Sequence, residues 1–424
     1  MSRKPKISKG SFLYQVLQVA SGNMLAQAIP FLVLPLLQSS FYTPAQFGIL
    51  SLYTATSELF IGAASGKYEM AIVTSHRKKD QANLMFLCLT LSFLTAGVFL
   101  TGLILYFLGA RLLHIWDEPA LWLWPLPLSI AAGGIFNAIS YRFNREQWFG
   151  RMSMGKVYNT LAAESTKIGL GLAQVGTGLV WGRITGQLFS ALQQWRIYAR
   201  RLQSDRRLYS RSYLKTLVRS QRRYPLYIMP AAIIGSLITV LYFNLFEYYY
   251  GEDKLGVIGV SVSYIGVASG IISAAIGQVF FRRLAEIDDL RSLRSKYLAF
   301  AGVLAVPAAL MPLTLYALPN SWVVYVLGAK WELMLPVARI MSLWMALAFI
   351  SSSLSFIYLK LNMQRTMFVI DSLHLLLVIG SISLAHTLYG DFMTTLYFFT
   401  GAQLIHYIIA IFAALVRLQK ISRS

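Results

Sequence analysis

The chain has 424 residues, of which 56% are hydrophobic and 13% charged, where an ordinary globular domain carries about 25% charged residues. A soluble fold has no place for that much apolar surface, and at about 20 residues per bilayer crossing the length allows about twelve crossings with no soluble domain left over. The formal charge of +21 is spread between apolar runs instead of gathered on one face of a soluble module, which argues against nucleic acid as a partner.

At the start, Arg3, Lys4, Lys6 and Lys9 precede an apolar stretch too long for a cleavable leader, so it reads as the first retained span. Spans are predicted near 12–38, 47–66, 83–108, 119–141, 154–174, 177–195, 225–246, 255–281, 297–318, 334–359, 366–387 and 393–416. The connections alternate in charge. One set, which includes both termini, carries nearly all the loop Lys and Arg, ten of them between Arg196 and Arg223. The other set holds only Arg111, Lys254 and Lys330. By the positive-inside rule the first set is cytoplasmic and both ends lie inside. The outer connections carry Trp116, Trp122, Trp124, Trp322 and Trp331, rings suited to anchor at the membrane interface. The single cysteine, Cys88, lies within an apolar run, which excludes a disulfide framework and points to packing.

The basic stretch 196–223 interleaves ten cations with Leu202, Leu208, Tyr209, Tyr213, Leu214, Leu217 and Val218, the pattern of an interfacial helix on an anionic leaflet. It divides the chain into an N-terminal lobe, 1–195, with spans one to six, and a C-terminal lobe, 224–424, with spans seven to twelve. A weak internal repeat agrees: Phe41-Tyr-Thr-Pro-Ala-Gln-Phe-Gly48 leads into the second span and Tyr249-Tyr-Gly-Glu-Asp-Lys-Leu-Gly256 into the eighth. Even-numbered lobes share one orientation. The fold class is therefore an all-α polytopic membrane protein of about twelve transmembrane helices in two six-helix lobes.

Ionisable side chains inside spans are costly and usually face a cavity or a partner. Glu164 and Lys167, three apart on one helical face, can neutralise each other. Arg183 and Arg339 lie about five residues inside the outer ends of the sixth and tenth spans. They either snorkel outward or, with Lys167, offer an always-charged, bidentate grip for a phosphate-bearing headgroup. Glu58 has no cation nearby in sequence, and Asp371 is followed at helical spacing by His374. Glu58, Glu164, Asp371 and His374 are the ion-coupling candidates. Pro30, Pro35, Pro230, Pro307 and Pro312 permit bent helices. Walker-type loops, His/Glu zinc spacings and Gly-x-Ser-x-Gly elbows are absent, so no catalytic or metal-ligating residue is nominated and transport is favoured over chemistry. No cofactor is expected; a proton or sodium gradient is the candidate energy source.

Tyr42-Thr-Pro-Ala-Gln-Phe-Gly48 and Gly66-Lys-Tyr-Glu-Met-Ala-Ile-Val73, then Arg223-Tyr-Pro-Leu-Tyr227, Gly277-Gln-Val-Phe-Phe-Arg282, Leu327-Gly-Ala-Lys-Trp331 and the polar step from Ser355 to Gln364, resemble the polysaccharide and O-antigen flippases. These belong to the multidrug/oligosaccharidyl-lipid/polysaccharide exporter superfamily. The resemblance implies two lobes around a central, often cationic cavity in a bacterial inner membrane. It implies a polyprenyl-pyrophosphate-linked oligosaccharide as substrate, carried from the cytoplasmic to the outer leaflet by alternating access. Membrane lipids and other polysaccharide-assembly membrane proteins are the further partners implied. No family motif matches Arg183 or Arg339, which rest on helix position alone. A drug or cation exporter of the same fold is the alternative, and its cavity would be acidic. A membrane-embedded polymerase or ligase would need a large outer loop, whereas the longest loop here is cytoplasmic and basic.

Overall fold

The computed structural model describes residues 12–113, 117–285, 290–361 and 363–423. The expected N-terminal cations Arg3, Lys4, Lys6 and Lys9 and the expected anchor Trp116 lie outside them, as do the side chains of Gly277–Arg282. A long helix stands at each of the twelve expected positions, and the protein is an all-α, multi-pass membrane protein. By length and apolarity alone, eight segments among the described residues can cross a bilayer, or nine if one bent pair counts as a single span. Local chemistry accounts for the difference. One of the eight, Tyr224–Val267, runs through a break at Gly251 (φ 82°) and so joins two helices. Two more long helices, Phe149–Leu172 and Gly178–Leu208, are too polar to pass, for reasons that the candidate site explains.

The chain folds into two compact units. The first comprises Met1–Leu37 and Leu52–Leu237. Its helices are α1 (Phe12–Leu36), the later part of α2 (Pro44–Ala63), α3 (Tyr68–Thr74), α4 (Lys78–Leu113), α5 (Leu126–Arg145), α6 (Phe149–Leu172), α7 (Gly178–Leu208) and α8 (Arg211–Ser220). Pro30 and Pro35 lie within α1, which ends in a π-helical turn, Leu37–Phe41. The segment Gly66–Val73, at the predicted end of the second span, starts a new helix. Gly66 and Lys67 both take left-handed backbone (φ 62° and 60°), and α3 leaves α2 at 53°. The buried core joins Tyr68, Ile72, Leu84, Met85, Cys88, Ile139, Phe143 and Tyr198, so Cys88 packs as expected.

At the basic end of this unit, Arg142 is buried between Gln81 (2.6 Å), Glu146 (3.2 Å) and Asp205 (3.4 Å), and Asp205 accepts from Tyr198 at 2.9 Å. Trp148 lies between the guanidiniums of Arg151 and Arg201, each 4.2 Å from its ring centre. The stretch 196–223 is part of this unit: it forms the last turns of α7 and all of α8. The apolar residues Tyr213, Leu217 and Val218 of α8 pack into the core.

The second unit comprises Gln38–Ser51 and Ile238–Ser424. It holds the start of α2, most of α9 (Met229–Ala285), α10 (Leu290–Ala317), α11 (Asn320–Leu327), α12 (Met334–Ser353), α13 (Phe356–Lys360), α14 (Gln364–Tyr389) and α15 (Phe392–Arg423). The two copies of the repeat pack directly on each other here. A Cβ on Gly48 would stand 2.2 Å from the Glu252 carbonyl oxygen, and one on Gly256 would stand 1.7 Å from that of Pro44, so only glycine allows the crossing. Thr43 N donates to Gln46 Oε1 at 2.9 Å, one half of a capping box, and Ala45 N donates to Asp253 Oδ1 at 3.1 Å.

The motif Leu327–Trp331 closes over this junction. Lys330 Nζ donates to the Tyr42 carbonyl at 2.9 Å and Trp331 Nε1 to that of Gln38 at 3.1 Å. Trp331 is 0% exposed, with its ring 5.4 Å from that of Phe47. It is therefore a core residue and not the interface anchor expected, because its motif folds back over the start of α2. Trp322, half exposed, suits the anchor role.

Candidate functional site

Helices α6 and α7 approach closely because α7 opens Gly178-x-x-x-Gly182-x-x-x-Gly186, a small-residue stripe that lets helix backbones meet in a membrane. A Cβ on Gly182 would stand 2.3 Å from Lys167 Cγ, and one on Gly186 would stand 2.5 Å from the Asn159 carbonyl oxygen. Side-chain hydrogen bonds then tie the pair: Thr185 to Thr166 at 2.9 Å and Asn159 to Ser190 at 3.0 Å. Polar bonds of this kind join helices where no water competes.

Beside this seam lies a cavity of about 240 Å³ within the first unit. Its polar lining comes from Glu58 of α2, Asn137 of α5, Lys156, Asn159 and Thr160 of α6, and Arg183, Gln187 and Ser190 of α7. Polar residues on one face of α6 and α7 supply most of it, which is why these two helices are less apolar than the other spans. Glu58 and Arg183 form an ion pair. Their side chains are 54% and 29% exposed, so neither is sealed from a ligand. Lys156 Nζ donates to Asn23 Oδ1 at 2.9 Å. Arg183 Nε and Gln187 Oε1 are buried with no hydrogen-bond partner. Two cations and one carboxylate leave the cavity one positive charge in excess, with an unused guanidinium donor.

The structure thus brings Glu58 and Arg183 together, and pairs Glu164 with Lys167 at 2.6 Å farther along α6. Arg339 belongs to the second unit. Its Nε donates to the Leu315 carbonyl at 3.0 Å, and Nη2 to that of Leu318. It thereby caps the C-terminal end of α10, where a cation offsets the helix dipole. Asp371 and His374 share one helix. Asp371 Oδ1 is 4.0 Å from His406 Nε2, and His374 Nε2 bonds Gln403 Oε1 at 2.9 Å. Sequence reasoning did not single out Lys156, Asn159 or Gln187. Lys156 sits at the very edge of a predicted span, and the glycine stripe on α7 was the available signal for the seam they line.

A family model described as "Polysaccharide biosynthesis protein" matches residues 39–336. No curated protein matches. Among solved structures, the lipid II flippase MurJ in an inward closed conformation is 11% identical, with a TM-score of 0.68 over 95% of this chain and 89% of that one. The MATE multidrug transporter DinF-BH is 12% identical, with a TM-score of 0.60 over the whole of both chains. A MOP superfamily transporter from Pyrococcus furiosus is 12% identical, with a TM-score of 0.55 over 97% and 96%. At these identities the likeness is one of fold.

Proposed function

We propose, from the premise that this chain belongs to the polysaccharide biosynthesis protein family, that it is a flippase for a polyprenyl-pyrophosphate-linked oligosaccharide. It carries this lipid from the cytoplasmic to the outer leaflet of a bacterial inner membrane by alternating access, with both termini cytoplasmic. The observation that carries the reading is the polar cavity with its excess positive charge, its unpartnered Arg183 Nε and its half-buried Lys156. A guanidinium with an unused donor, in one cavity with an ammonium, is the chemistry that grips phosphate oxygens. At about 240 Å³ the cavity is smaller than the roughly 300–1,000 Å³ of a drug-sized pocket, which suits a headgroup fragment with its sugars lying outside. Arg183 and Lys156 are assigned to the pyrophosphate, with Lys167 as a reserve on the same helix. Arg339 is the second unit's candidate, held stiff by its two carbonyl bonds. Surface polysaccharides such as O-antigen are the proposed product class.

One observation favours a second reading. Glu58, more exposed than Arg183, is the group a cationic drug would use, so an exporter of the same fold is its natural owner. Deleting the gene and measuring accumulation of lipid-linked oligosaccharide on the cytoplasmic side separates the two. The flippase reading expects accumulation, reversed by the intact gene and not by Arg183→Gln. Unchanged turnover with raised drug sensitivity would overturn it in favour of the exporter.

A further inference from the structure

The second unit contains a cluster of titratable groups that lies apart from the cavity. Asp371 and His374 of α14 and Gln403 and His406 of α15 face one another. The two imidazoles are stacked, with ring centres 3.8 Å apart and planes 15° from parallel. All but Asp371 are buried, and the Asp371 side chain is 38% exposed.

The hydrogen-bond inventory is uneven. His374 is anchored by Gln403. His406 presents Nε2 to the Asp371 carboxylate, 4.0 Å away, while its Nδ1 is buried with no partner. A neutral imidazole carries one ring hydrogen. Placed on Nδ1 it would have nothing to donate to; placed on Nε2 it points toward Asp371 and leaves Nδ1 as a bare base. A proton taken up by the ring makes an imidazolium 4.0 Å from a carboxylate, which leaves the site neutral where the empty site carries one negative charge. At a ring separation of 3.8 Å a second imidazolium is excluded by like-charge repulsion, so the stack takes one proton as a unit.

Among the described residues, the ion-pair partner of Asp371 is His406. From α15, Tyr407 meets His406 edge-on at 4.8 Å, and Trp344 of α12 lies parallel to Tyr407. Tyr358 of α13 lies within electrostatic reach of Asp371 and of Tyr297 of α10, as Tyr242 of α9 does of Tyr407. These aromatic side chains border the two buried imidazoles, where the low local dielectric makes gain or loss of one charge strongly felt.

We propose that His406, His374 and Asp371 form a one-proton binding site and that this proton is the coupling ion of transport. The coupling role rests on the flippase reading; the site itself does not. The test uses the full chain in lipid nanodiscs with ¹³C-labelled histidine, followed by NMR from about pH 8 to about pH 5. His374→Gln and His406→Gln assign the two signals, and His76 and His386 report that each variant is folded. We expect the two rings to titrate in one shared step of a single proton. Asp371→Asn should weaken that proton's binding by at least about tenfold, since a carboxylate at this distance favours the imidazolium. Two independent protonations, rings that stay neutral throughout, or no effect of Asp371→Asn would each overturn the proposal. So would signals that respond to sodium and not to pH. No substrate is needed, so failure here removes the proton site and leaves the flippase reading to the gene-deletion experiment.

Discussion

Gly186→Ala tests whether the α6–α7 seam builds the cavity. The new Cβ would stand 2.5 Å from the Asn159 carbonyl oxygen and 2.8 Å from Ala163 Cβ, about 1 Å inside van der Waals contact. The obstruction on one side is helix backbone, which no rotamer change can move. The helices must therefore part by about 1 Å, and overpacking of that kind costs about 1–3 kcal/mol. Parting also stretches the bonds Asn159–Ser190 and Thr185–Thr166, now 3.0 and 2.9 Å, each worth about 1 kcal/mol. Less the roughly 1 kcal/mol that alanine gains in helix propensity, the sum is about 2–4 kcal/mol. Gly169→Ala is the control, since its Cβ meets nothing within 4 Å; it gains up to about 1 kcal/mol of helix propensity. Thermal unfolding of the purified variants, read by loss of the monodisperse peak on size exclusion, should place Gly186→Ala well below wild type and Gly169→Ala at or above it. Equal Tm values for the two alanine variants would refute the close-packed seam.

Trp331→Ala removes a fully buried ring and should cost about 3–5 kcal/mol, whereas Trp322→Ala should change Tm little; the same unfolding assay compares them. Arg339→Leu leaves the Leu315 and Leu318 carbonyls without their donors and should destabilise by about 1.5–3 kcal/mol, with Arg339→Lys recovering part. Asp391 caps α15 by accepting from Thr394 N at 2.8 Å and Thr394 Oγ1 at 2.9 Å, bonds that hold its pKa below the ordinary carboxylate value. Because the folded pKa is depressed, its contribution is present above the usual carboxylate range and fades as pH falls through the folded value. Asp391→Asn, which resembles the protonated acid, should therefore lower Tm at neutral pH and flatten its acid limb, with the two proteins converging at low pH.

The membrane-spanning helices were legible because apolar length is a local property. The Glu164–Lys167 pair was legible for the same reason: three residues apart on a helix is a contact. Glu58 and Arg183 are 125 residues apart, and nothing along the chain indicates that they meet. Asp371 and His374 stood out by spacing, but the ring stacked on His374 belongs to the next helix. Trp331 was misjudged because a tryptophan in a loop looks the same whether the loop lies at the interface or folds back over a helix start. The stretch 196–223 reads as an interfacial helix, and Arg and Gln are good helix formers; α7 runs on to Leu208 before α8 begins at Arg211.

The most direct measurement is binding of inorganic pyrophosphate to the full chain in nanodiscs by isothermal calorimetry, compared among wild type, Arg183→Gln and Glu58→Gln. Loss of a charged hydrogen-bonding group costs about 1.5–3 kcal/mol, so Arg183→Gln should weaken binding by about 10- to 150-fold, while Glu58→Gln, which removes the cavity's negative charge, should tighten it. Undiminished binding to Arg183→Gln, or weaker binding to Glu58→Gln, would contradict an anion site in the first unit.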